Sequence, residues 1–195
     1  METLLKLSRL IDATSEAVGK AVMWLIPVAA VVAAGNAIAR KAFDSGSNAF
    51  MELQYHLFAA VVMFAAAYTL RRQGHVRIDL LAGKFSRRTQ AVMEIAGFLL
   101  FFAPFAYLMI TMSTPLAIEV FGTGETSSNT GGLVKWTLYA TVPLGFSLLS
   151  AQALSETIKR IGFLAGRCED PAKGTKSDEE RLLEDLRKAA EGGGK

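Results

Sequence analysis

Charged residues in this chain are segregated from apolar ones. Four stretches carry no Lys, Arg, Asp or Glu: 21–39 (19 residues), 53–70 (18 residues), 95–118 (24 residues) and 136–155 (20 residues). A hydrocarbon core ~30 Å thick takes about 20 helical residues at ~1.5 Å each. Each stretch therefore matches one crossing. A buried helix of a soluble bundle keeps a polar stripe, whereas these runs hold only isolated polar side chains such as Asn36, Gln54, His56 and Gln152. The pattern predicts an all-α membrane protein with four transmembrane helices, the membrane domain covering 21–160. "AGNAIA" near the end of the first run loosely matches a signal-peptide cleavage site. About 20 residues precede that run, however, and it is longer than a signal core, so a retained first helix is expected.

The flanking segments have a different period. In 1–20, Leu4, Leu7, Ile11 and Val18 recur at helical spacing, with Glu2, Lys6, Arg9, Asp12 and Glu16 largely on other faces. That pattern predicts an amphipathic arm at the membrane surface. Residues 76–88 repeat it, with Ile78, Leu81 and Phe85 among Arg77, Lys84, Arg87 and Arg88. The tail, 161–195, reads as a linker and then a short helix opened by a capping box, Ser177 with Glu180.

Charge orients the spans. Segments 1–20, 71–94 and 156–195 share one side of a four-span topology and hold eighteen Lys and Arg residues, against three on the other side. The positive-inside rule places both termini and the middle loop in the cytoplasm. The net charge of +3 thus reflects membrane borders, where its basic residues have little aromatic interleaving, and nucleic acid is not an expected partner. A single cysteine, Cys168, permits no internal disulfide, and two histidines make a Cys/His metal site improbable.

Candidate chemistry is sparse. No Ser/His/Asp set, HExxH motif or Gly-Lys-Ser/Thr loop is present, so neither an enzyme nor a nucleotide site is expected. Glu52 and His56 sit four apart at the outer start of span two, and Gln152 and Glu156 repeat that spacing at the inner end of span four. Either pair suits proton passage or, more commonly, a bond to a neighbouring helix. His56 is the one histidine inside a span, a poor basis for haem ligation. Small residues are abundant: Ala29, Ala33 and Ala37 share one face of span one, Ala30 and Ala34 another, and Ala59, Ala60 and 65–67 serve span two. Such faces let helices approach closely. Pro104, Pro115 and Pro143 predict bends. With few buried polar groups and no visible substrate path, the bundle reads as a scaffold for another membrane protein.

Two segments, "NAFMELQYHLFAAVVMFAAAYTLRRQGHVRIDLL" and "SSNTGGLVKWTLYATVPLGFSLLSAQALSE", carry a family likeness. Their most specific parts are Glu52, Gln54 and Tyr55, the 67–71 end of span two with Arg71, and His75, Arg77 and Asp79. In the second half they are Ser127, Ser128 and Asn129 with Gly131 and Gly132, then Trp136, Pro143 and Gln152. Together and in order, over about residues 15–160, they resemble the small membrane (DctQ-like) subunit of tripartite ATP-independent periplasmic (TRAP) transporters. Many such relatives have a tryptophan or a second acid beside the residue matching Glu52, where this chain has Met51 and Leu53.

That resemblance implies a non-catalytic, cofactor-free scaffold in the bacterial inner membrane. Its partners would be a large elevator-type permease subunit, a periplasmic substrate-binding protein and membrane lipids. Transport would be driven by an ion gradient, usually sodium, and carry organic acids. The matching residues are expected at subunit or lipid interfaces, with Arg71, Arg72 and Arg77 as anchors, His75 and Asp79 pinning the turn into the second arm, and the 127–132 loop facing the binding protein. The alternatives are a free-standing small channel or proton-coupled carrier, and a haem-bearing anchor of an electron-transfer complex.

Overall fold

The computed structural model describes residues 2–44, 46–72 and 85–168. Their regular structure is helical: α1 (Glu2–Met23), α2 (Leu25–Phe43), α3 (Asn48–Arg71), α4 (Arg87–Gly97), a π-helical turn (Phe98–Phe102), α5 (Ala103–Thr123) and α6 (Trp136–Leu164). An isolated antiparallel bridge between Thr126 and Val134 draws in the loop before α6. Among the described residues four helical units are long and apolar enough to cross a membrane: Glu2–Phe43, Asn48–Arg71, Arg87–Thr123 and Trp136–Leu164.

The helices outrun the uncharged stretches. The third begins at Arg87, where Ser86 supplies the N-cap by accepting from Thr89 N–H at 3.3 Å. Of the arm expected over 76–88, residues 76–84 lie outside the described residues, and Arg87 and Arg88 open α4 instead. The tail beyond Cys168, with its expected short helix, is also outside them. The fourth helix continues nine residues past the end of its uncharged run, to Leu164. It can do so because Glu156, Lys159 and Arg160 form ion pairs with one another and with neighbouring helices.

Proline marks two irregularities. Trp24 separates α1 from α2. Pro27 has no N–H for the carbonyl of Met23, and its ring crowds that carbonyl; the Trp24 N–H bonds Ala21 O at 3.2 Å. Ahead of Pro104, the Ala103 N–H reaches Phe98 O, five residues back, in the π-helical turn. Through Pro115 and Pro143 the helices run on, with the Ser147 hydroxyl donating to Pro143 O at 2.6 Å. Gly124, at φ 65°, takes the left-handed position that ends α5.

Helix α6 is the centre of the bundle and packs on α3, α5, α1 and α4, while α2 lies chiefly on α3. Two glycines set the closest approaches. A Cβ on Gly145 would lie 2.6 Å from the Met63 Cβ, so α3 and α6 touch backbone to side chain there. A Cβ on Gly19 would lie 2.4 Å from the Tyr68 Cβ, where α1 crosses α3. Of the alanine faces on α2, Ala29 and Ala33 are half-buried, whereas Ala30, Ala34 and Ala37 are exposed. No residue of α2 is buried within the chain. On the third unit Phe101 and Met112 are 77% and 74% exposed, a surface for lipid or another subunit.

Candidate functional site

The described polar network is concentrated at the two ends of the bundle. At one end, Glu52 in the first turns of α3 gathers the loop that precedes α6. Its Oε1 accepts from the Ser127 hydroxyl and from Asn129 Nδ2 at 2.8 Å; its Oε2 accepts from the Leu133 N–H at 2.7 Å. The loop closes on itself through Ser127 N–H to Leu133 O and Gly132 N–H to Asn129 O, both 2.9 Å. Gly132 must be small, since a Cβ there would meet Ser127 Cβ at 2.5 Å and Glu52 Oε2 at 2.9 Å. Asn48 adds a bond to Thr130 O at 3.1 Å. His56 places its ring nitrogens 2.8 Å from Glu52 O and 3.3 Å from Val134 O. Glu52 and His56 therefore bind backbone and loop, the structural role of such a pair. The Asn36 side-chain oxygen accepts from Ser47 N–H at 3.1 Å, tying the α2–α3 turn at the same end. Lys135, just before α6, pairs with Glu125, and that bond holds its pKa above the usual lysine value.

The opposite end holds a larger network. The inward face of α1 reads Ser8, Asp12, Ser15, Gly19, Val22, in steps of four and three. These residues are small or polar because α1 crosses other helices here at short range. Asp12 Oδ1 accepts from Gln152 Nε2 at 2.9 Å and Ser155 Oγ at 2.8 Å; its Oδ2 accepts from Lys159 Nζ at 3.0 Å. Ser8 and Ser155 hydroxyls are 2.7 Å apart. Glu156 accepts from Gln152 at 3.3 Å, from Lys159, and from Arg160 Nη1 at 2.9 Å. Arg160 also reaches Glu94 of α4. Asp12, Glu156 and Arg160 thereby tie α1, α6 and α4 together. A second knot joins α1 to the end of α3: Glu16 accepts from Arg71 and lies within 3.5 Å of Arg72 and 2.8 Å of Lys20.

The residues singled out in the sequence divide as follows. Glu52 and Asn129 meet in the first network, and the bond there comes from Ser127, not its exposed neighbour Ser128. Gln152 is wholly buried at the heart of the second network. Arg71 binds Glu16 of α1. Gln54 donates to Phe50 O of its own helix, Tyr55 is 61% exposed, and Trp136 stands edge-on to Phe121 at 5.3 Å. Pro143 is buried two residues before the Gly145 contact. His75, Arg77 and Asp79 lie outside the described residues.

The expectation of few buried polar groups needs correction. Glu52, Glu156 and Arg160 are each buried, to 9%, 5% and 9% exposure. They sit toward the ends of the helices, where Glu52 and Arg160 bond across elements tens of residues apart and Glu156 bonds Gln152, Lys159 and Arg160 of its own helix. The i, i+4 spacing of Gln152 and Glu156 signals a polar C-terminal part of α6, but nothing in it points to Asp12. No group of three His, Cys, Asp or Glu side chains among the described residues is arranged to hold a metal ion.

Residues 29–162, more than half of the chain, match the family model described as Tripartite ATP-independent periplasmic transporters, DctQ component. No curated protein and no solved structure matches significantly. The chain belongs to the DctQ family, the small membrane component of TRAP transporters.

Proposed function

We propose that this subunit is a stationary frame with no solute path of its own. The frame packs against the large elevator-type permease subunit of a sodium-driven organic-acid transporter in the bacterial inner membrane. Both termini and the 71–94 connection face the cytoplasm. Arm α1 lies at that surface, with Leu4, Leu7 and Leu10 toward lipid and its small polar face on the bundle. The outer loop held by Glu52 is presented to the substrate-binding protein.

The observation that carries this proposal is where the described polar contacts fall. They tie elements together at the ends, while Gly145 and Met63 meet in close apolar contact between them. A carrier needs polar side chains along a path through the membrane, and intramembrane ionisable groups are its usual mark. Here Glu52 and Asp12 bond across elements, and Glu156 is held by Gln152, Lys159 and Arg160 of its own helix, each of which also bonds Asp12 or Glu94. Basic residues of α1, Arg71, Arg72, Arg87, Lys159 and Arg160 belong to the same end, which supports the inward orientation.

Extraction of the tagged chain from its native membrane should co-purify a much larger membrane subunit. Proteoliposomes should accumulate an organic acid only when that subunit and the binding protein are included. Uptake by this chain alone, or its purification as a free-standing unit, would refute the frame.

A further inference from the structure

We infer that Lys20, Arg71 and Arg72 form a binding site for the phosphate of an anionic phospholipid, at the corner where α1 crosses the end of α3. The inference rests on the inward orientation proposed above. Glu16 is the one carboxylate among the described residues that ion-pairs with these three cations. Among the described residues it neutralises one of three charges and leaves a local surplus of two. The next acid on the same face of α1, Asp12, is already paired with Lys159. The surplus can be reached: the Lys20 and Arg72 side chains are 60% and 41% exposed. Arg71, at 26%, is the least exposed of the three and bonds Glu16.

The corner also has the shape of a membrane border. Tyr68 packs under Gly19, and the Arg72 guanidinium stands over its ring at 5.4 Å to the centroid. Trp24, one turn beyond Lys20, is 74% exposed at the break between α1 and α2. Such amphipathic rings settle at headgroup level. Beyond Trp24, Val28 and Val31 continue an exposed apolar strip along α2, at 49% and 71%. A phosphate bound by Lys20 and Arg72 thus has its acyl chains directed along Trp24, Val28 and Val31. A soluble phosphate would use the cations and leave that strip unused, which is why the lipid is the assigned ligand.

The test uses the full-length chain in its purified complex, with phosphatidylglycerol titrated into a phosphatidylcholine background and bound lipid counted by native mass spectrometry. One retained phosphatidylglycerol per chain is expected. Each basic group near an anionic leaflet is worth about fivefold, so Lys20→Gln with Arg72→Gln should raise the half-saturating concentration about 30-fold. Arg72→Gln alone should raise it about fivefold, and it leaves the Arg71–Glu16 pair intact should the double variant fold poorly. Lys41→Gln, the same charge removed at the other end of α2, should change nothing. Unchanged retention in both site variants, an equal loss with Lys41→Gln, or displacement by millimolar inorganic phosphate would overturn the assignment. Co-purification of the large subunit, read on the same sample, decides the frame proposal separately.

Discussion

The two ends of this bundle solve one problem in opposite ways. At the end that carries the 125–134 loop one carboxylate, Glu52, accepts from three donors of that loop. At the α1 end the work is shared, with Asp12 and Glu156 both drawing on Gln152 and Lys159, and Ser155 and Arg160 adding further bonds. A hub fails all at once, whereas a shared network fails by degrees. A loop that must stay in one shape suits the hub, and an arm that must stay docked across several helices suits the network.

That contrast sets the order of effects. Glu52→Ala should be the most damaging, because it leaves the Leu133 N–H, Ser127 and Asn129 without their acceptor. Hydrogen exchange should show protection lost across the whole 125–134 loop, with Glu52→Gln intermediate, since an amide offers one acceptor oxygen in place of two. If the loop kept its protection in Glu52→Ala, the hub description would be wrong. Arg160→Ala comes next. It removes the tie between Glu156 and Glu94 and leaves a buried carboxylate short of a partner, a loss of about 3 kcal/mol in equilibrium unfolding of the micelle-bound chain. Ser155→Ala should cost about 1 kcal/mol, because Asp12 keeps Gln152 and Lys159. A loss from Ser155→Ala matching that from Arg160→Ala would show that the network on α1 is a hub as well.

The smallest effect belongs to the exposed pair Lys135–Glu125. Its lysine is held above the ordinary 10.5 by the bond to Glu125. A raised lysine pKa contributes stability below the unfolded value, lost as pH rises through the folded one. Near neutral pH the pair is fully formed, and Lys135→Met should leave the melting curve nearly unmoved. Any difference between wild type and variant should vanish only in strongly alkaline buffer.

Much of this architecture is legible in the sequence, for a physical reason. Lipid tolerates no charge along a lone helix, so the uncharged stretches announce the spans. The boundaries escape the same logic. Helix α6 runs to Leu164 through Glu156, Lys159 and Arg160 because partners neutralise them, and partners are a tertiary matter. Likewise the bond from Gln152 to Asp12 joins residues 140 positions apart, and Glu52 meets Leu133 across 81. A pattern read within one helix identifies Glu52 and Gln152 as unusual, but it cannot tell which element each will hold. The inward face of α1 was open to sequence reading, since Ser8, Asp12, Ser15 and Gly19 repeat at steps of four and three. Its small size signalled close packing, which the leucines on the other faces concealed.

The central claim is that this bundle stays still while its partner moves, and a cross-link asks that question directly. Ser8 and Ser155, with hydroxyls 2.7 Å apart, can be replaced together by cysteine, with Cys168→Ser removing the native thiol. Closing that disulfide in the reconstituted complex pins α1 to α6. A stationary frame predicts the same uptake rate oxidised and reduced. Uptake abolished on oxidation and restored by a reductant would show that α1 and α6 must part during transport.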